Sequence, residues 1–170
     1  MKDKISQDRV KLLHPKVRDE VKLLIERAEY GLPDNMAVRI VQGLRTIEEQ
    51  NALYAQGRTK PGPIVTKAKG GSSYHNYGLA IDFALVTDTN GDGKYDDLSW
   101  DIRRDSDKDG TADWLEVVKV FEEAGWSWGG KWASLKDNPH LEKTFGNNWR
   151  VLLDRYNNKE FIPGTNYVRL

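Results

Sequence analysis

Between Pro15 and Tyr30 apolar residues recur at Val17, Val21, Leu24, Ile25 and Ala28. That spacing predicts a helix with proline in its first turn and Gly31 just past its end. After the turn GLPDN, the segment AVRIVQG predicts a short strand. TIEE then offers a capping box, in which Thr46 and Glu49 satisfy each other's free amides, for a helix over about Ile47 to Gln56. QGRTKPGPIVTKAKGGSS is rich in glycine, proline and lysine and reads as a long loop, of the kind that borders active sites. From Leu79 to Val86 the period changes to two, with Leu79, Ile81, Phe83 and Leu85 on one side of a strand and Ala80, Asp82, Ala84 and Val86 on the other. Trp114 to Ala124 returns to helical spacing through Leu115, Val118 and Phe121. WSWGGKW predicts a short aromatic strand and turn, and the tail carries a helical pattern around Trp149 to Tyr156.

Composition narrows this picture. A chain of 170 residues suits one domain, 1–170, with a sizeable core. Lysine plus arginine and aspartate plus glutamate both number 26, so no global field points to nucleic acid or an anionic membrane. The balance hides a local asymmetry. Residues 1–70 hold 14 basic and 9 acidic side chains, whereas the stretch 88–116 holds 4 basic and 10 acidic ones. There are no cysteines, which excludes disulfides and thiolate metal sites. No signal-peptide-like segment or membrane-length apolar run occurs, so the expectation is a monomer made in the cytoplasm without a standard export signal.

Asp82 is the anomaly in its strand. A carboxylate among small apolar neighbours must be paired, protonated or bound to a cation. The chain has three histidines, His14, His75 and His140. His14, in LLHPKV, reads as a packing or helix-start residue. His75 precedes Asp82 by seven residues, with Gly78 between them to turn loop into strand, and His140 ends the tetrapeptide DNPH. Two imidazoles and one carboxylate make a three-ligand zinc set that leaves a fourth position for water, as in catalytic sites. Asp137, three residues before His140, stands where a general base for hydrolysis of an acyl bond is needed. Spacing alone leaves chance co-occurrence open.

The run Ser73-Tyr-His75-Asn-Tyr-Gly78-Leu-Ala80-Ile-Asp82 resembles the S-x-H-x-x-G-x-A-x-D signature of the zinc peptidases related to D-alanyl-D-alanine carboxypeptidases, the M15 family. Asp137-Asn-Pro-His140 looks like that family's second signature, and GLRTIEEQNALYAQGRTKPG resembles the branch of L-alanyl-D-glutamate endopeptidases that includes phage endolysins. The resemblance implies an α+β fold of the kind shared with Hedgehog domains, a small, mainly antiparallel sheet with helices packed on it. It implies zinc at His75, Asp82 and His140, a general base at Asp137, and Arg45 as the group that binds substrate and stabilises the oxyanion. It adds Ser73 and Gln50 as substrate-binding positions, and Trp132 is a candidate lining of the groove. The substrate implied is the peptidoglycan stem peptide, with a D-alanyl-D-alanine carboxypeptidase and a non-catalytic calcium-dependent binding module as the other readings. The tail past His140 is too short for a separate wall-binding domain, so action on the wall implies release from the cytoplasm, with a holin as possible helper. His140-Leu141 departs from the aromatic that many relatives carry after the histidine.

The acidic insert 88–116 carries its own signal. DSDKDGTADWLE has the spacing of a twelve-residue calcium loop, with Asp105, Asp107 and Asp109 as ligands, Thr111 through its carbonyl, Asp113 directly or through water, Glu116 bidentate, and Gly110 at the sharp turn. DTNGDGKYDD repeats its beginning with Asp88, Asn90, Asp92 and Lys94, and its closing ligand falls to Asp96 or Asp97. Calcium here would fold an insert that otherwise repels itself, or would order a wall of the active site.

Overall fold

The computed structural model describes residues 1–170. The chain forms α1 (Lys4–Val10), α2 (Pro15–Gly31), β1 (Met36–Gln42), α3 (Ile47–Ala55), β2 (Ala80–Thr87), β3 (Asp97–Ser99), α4 (Asp113–Glu123), β4 (Ser127–Trp128), β5 (His140–Glu142) and α5 (Trp149–Asn157). Short 3-10 turns occupy Tyr74–Tyr77 and Gly129–Lys131. The expected helices and the long strand all form within a residue or two of their predicted ends. α3 starts on the capping box, Thr46 accepting from the Glu49 amide at 3.0 Å while Glu49 accepts from the Thr46 amide at 2.8 Å. His14 caps α2 by accepting from the Lys16 amide at 3.1 Å, and its other ring nitrogen lies 2.9 Å from the Val168 carbonyl. It is a buried structural residue, as its context indicated.

Three elements escape the periodicity. α1 has no apolar stripe; it is held by polar contacts to the sheet. Asp3 caps it through the Ser6 amide at 2.9 Å and pairs with Arg39 at 2.7 Å, while Ser6 Oγ accepts from the Ile40 amide at 2.7 Å. β3 and β5 are each only three residues long, too short for any alternation to register.

The sheet is antiparallel throughout and is built around β2. One edge of β2 pairs along its length with β1. The other edge is shared end to end, β5 pairing with Ala80–Asp82 and β3 with Leu85–Thr87, and β4 then adds to β5. Every residue of β2 is buried except Asp82. Phe83 packs against Trp114 of α4 with ring centroids 4.4 Å apart, and α2 contributes Val17, Val21, Leu24, Ile25 and Ala28 to the same core, the stripe read from the sequence.

Gly78 joins the His75 turn to β2 at φ +68°, and a Cβ there would stand 2.6 Å from the His14 amide nitrogen. The Gly78 carbonyl accepts from that same amide at 3.0 Å, so the two segments are locked at backbone distance. Gly78→Ala is therefore expected to cost at least about 2 kcal/mol, from left-handed strain plus the clash. Chemical denaturation checks this, and an unchanged midpoint would refute it.

Candidate metal centre and its cleft

The pairing of β2 with β5 builds the site. Asp82 and His140 are direct partners in the ladder. The flanking backbone bonds run from Phe83 to Pro139 and from Lys143 to Leu79. Asp82 and His140 thus form a non-hydrogen-bonded pair, the kind whose side chains approach most closely. His75 arrives from the 3-10 turn before β2. Its Nε2 lies 3.2 Å from Asp82 Oδ1, and His140 Nδ1 lies 3.0 Å from the same oxygen. Both histidines are buried, and the three ligand atoms lie within 4.8 Å of one another.

The outer sides of the rings show what fits between them. His75 Nδ1 lies 2.8 Å from the Gly43 carbonyl, and His140 Nε2 lies 2.9 Å from Glu142 Oε2. Both outer partners only accept, so each outer nitrogen carries the proton. In the neutral tautomers this assigns, the inner nitrogens are bare lone pairs that face a carboxylate oxygen. Such a convergence of acceptors calls for positive charge at its centre, from protons on both rings or from a cation. Two imidazole nitrogens, each on a ring oriented by an outer acceptor, and a carboxylate oxygen fit zinc. Without a cation the protons supply the charge: burial opposes ionisation of Asp82, but hydrogen bonds from His140 and His75 outweigh it and hold the carboxyl well below its usual range. Burial likewise disfavours the His140 imidazolium, and hydrogen bonds to Asp82 and Glu142 lift it to about 9. This is the partner that Asp82 required.

An open cleft of about 830 Å³ leads to the trio, lined among others by Arg45, Ser73, Trp132 and Asp137. Asp137 opens onto it from the turn before β5. Its carboxyl is raised, first by desolvation and then by the negative charge of Asp82, against the pull of His140, His75 and Arg45. Gly129 lets that turn come close, since a Cβ there would lie 2.5 Å from the Asp137 carbonyl oxygen. Arg45 is tied to the His75 turn by its amide, which donates to the His75 carbonyl at 3.1 Å. Burial disfavours its charge, while Asp82, Glu49 and Asp137 support it. Trp132 packs against the His140 ring at 5.1 Å.

Gln50 corrects the sequence reading. It is fully buried and therefore does not meet substrate. Its Oε1 accepts from Arg45 at 2.9 Å, and its Nε2 donates to the Ala68 carbonyl at 2.8 Å, so it braces Arg45 against the long loop. Glu142 and the Gly43 carbonyl were not anticipated, because their roles depend on strand register and on a contact spanning 32 residues.

In the insert, carboxylate oxygens of Asp105, Asp107 and Asp109 lie within 4.8 Å of one another. Asp113 does not join them. It is fully buried and accepts from the Ser106 amide at 3.0 Å and hydroxyl at 2.6 Å, which occupies the carboxylate expected as a ligand. Glu116 also stands outside the group, with Oε2 shielded from solvent and lacking any hydrogen-bond partner. Burial, and then the charges of Asp109, Asp107, Asp113 and Asp105, push its carboxyl up to about 7. The Thr111 amide donates to Asp109 at 2.7 Å. In the first half, Asp88 accepts from the amides of Gly91 at 2.7 Å and Gly93 at 2.9 Å. The Asn90 side chain accepts from the Asp92 amide at 3.0 Å, and Lys94 places its ammonium 3.0 Å from Asp92. Asp97 belongs to β3, opposite Thr87, with Asp96 just before it.

Residues 66–143 match a family model described as D-alanyl-D-alanine carboxypeptidase. The chain is 48% identical over 130 residues to the peptidoglycan L-alanyl-D-glutamate endopeptidase CwlK of Bacillus subtilis strain 168, covering 76% of this chain and 72% of that protein. Among solved structures it is similar to the L-Ala D-Glu endopeptidase ChiX of Serratia marcescens, with a TM-score of 0.51 and 22% identity over 84% of this chain and 88% of that one. The second likeness speaks to the fold.

Proposed function

The chain belongs to the M15 peptidase family, and from that premise we propose that it is a zinc peptidase cutting the L-alanyl-D-glutamate bond of peptidoglycan stem peptides. The observation that carries the reading is the convergence of His75, Asp82 and His140 at the floor of a cleft that also holds Asp137 and Arg45, in a chain 48% identical to an L-alanyl-D-glutamate endopeptidase. Those three side chains would hold zinc, which would supply polarisation of the scissile carbonyl and acidification of water. Asp137 takes the proton of the attacking water as the carbon–oxygen bond forms, and returns it to the leaving amine as the carbon–nitrogen bond breaks. Arg45 offers N–H donors and a permanent charge to the oxyanion, on a guanidinium that Gln50 holds in place. Ser73 and Trp132 bound the space where the peptide lies.

The family description favours a second reading, removal of a terminal D-alanine. Mass spectrometry of digested muropeptides separates the two. Intact stem peptides freed from MurNAc-L-alanine support the endopeptidase, and loss of D-alanine alone overturns it. No helix is long and apolar enough to cross a membrane, and the reading places the enzyme's work in the cell wall after release from the cell that makes it.

The reading extends to calcium on the insert, supported by the grouped oxygens of Asp105, Asp107 and Asp109 and by the unpartnered Glu116 oxygen. Glu116 makes this testable. Its carboxyl rises from an ordinary 4.5 to about 7, so the folded state holds the proton more tightly than the unfolded state. Its contribution to stability is then undiminished below 4.5 and is lost as pH rises to about 7. In chelator, the melting temperature of wild type relative to Glu116→Gln is expected to fall across that window, and calcium to offset the fall. Parallel slopes for the two proteins, or melts indifferent to calcium, would refute the assignment.

A further inference from the structure

We propose that Glu142 is a positioning residue of the metal centre: its carboxylate fixes the His140 ring with Nδ1 turned toward Asp82 and strengthens that nitrogen as a donor. The inference rests on the zinc reading and goes further, to a side chain that neither the ligand set nor the cleft chemistry called for.

Glu142 lies two residues beyond His140 on β5, so both side chains project from the same face of the sheet. Opposite His140 the ladder places Asp82, and opposite Glu142 it places Ala80, whose methyl group leaves room beside the site. Glu142 Oε2 meets His140 Nε2 at 2.9 Å, with the two side chains 16% and 8% exposed. A carboxylate only accepts, so Nε2 must donate, and when a cation takes the place of the second proton the lone pair is left on Nδ1, the nitrogen 3.0 Å from Asp82. Trp132 packs against the ring from the cleft side, at 5.1 Å between centroids, and restricts its rotation. The two histidines are thus held differently. His75 is oriented by a neutral backbone carbonyl, His140 by a full negative charge. Charge-assisted bonds are the stronger kind, and an anionic partner raises the basicity of the opposite nitrogen.

The test compares wild type, Glu142→Ala and the isosteric Glu142→Gln as full chains, in two measurements. Zinc affinity is read by competition with a chromophoric chelator, and the melting temperature of the zinc-free protein is read separately. Glu142→Ala is expected to bind zinc about 10–100-fold more weakly, with Glu142→Gln between it and wild type. A merely structural role would lower the zinc-free melting temperature and leave the affinity of the folded protein alone. Wild-type binding of zinc with both variants within about twofold of it overturns this inference by itself. Failure of the wild-type chain to bind zinc overturns the zinc reading, and this inference with it.

Discussion

Asp137→Asn is expected to slow hydrolysis of the stem peptide by about 10²–10⁴-fold while leaving zinc affinity and melting temperature near wild type. The substitution keeps the size and polarity of the side chain and removes only its capacity to take a proton. The turn that carries it depends on backbone: the Asp137 amide donates to the Gly129 carbonyl at 3.1 Å, and the His140 amide donates to the Asp137 carbonyl at 3.2 Å. Neither bond involves the carboxyl. Crowding at the cleft wall and the Asp82 charge move that carboxyl upward, toward the operating pH of a general base. Rates on purified muropeptides, together with zinc stoichiometry, decide the matter. A variant within tenfold of wild type would remove Asp137 from the proton path.

Asp82→Ala is expected to abolish the centre itself, with bound zinc falling from near one per chain to near zero and hydrolysis falling to background. Asp82 Oδ1 is the one anionic atom that both inner imidazole nitrogens face. Its loss leaves two neutral donors in a buried pocket and no charge to compensate a divalent ion. The sheet should survive, because Asp82 joins β1 and β5 through its backbone and the core residues Ile81 and Phe83 remain. Metal analysis after dialysis and circular dichroism provide the readout. Full zinc occupancy in a folded Asp82→Ala would dismiss the trio as the metal site.

How much of this was legible in the sequence depends on the range of the interaction concerned. The α2 stripe, the capping box at Thr46 and the period-two run through β2 are local, and each appears in the structure where it was read. α1 was missed because its stability comes from Asp3, Ser6 and Arg39 meeting across the sheet edge rather than from an apolar face. Asp113 shows the same dependence on tertiary contacts. Its spacing suits a calcium ligand, but a buried carboxylate accepts the nearest donors, and here those belong to Ser106. Gln50 was placed near substrate by its motif, whereas burial behind Arg45 makes it a brace.

Residue chemistry and short-range order, then, belonged to the sequence by itself: which segments become helix or strand, and that two histidines and an out-of-place aspartate were available as ligands. Tertiary structure alone decided the register that sets Asp82 against His140, and which nitrogen of each ring turns inward. The physical reason is that an imidazole has two equivalent-looking nitrogens until something holds one of them. In this protein the holders are a carbonyl 32 residues away from His75 and a carboxylate brought onto the same strand face as His140.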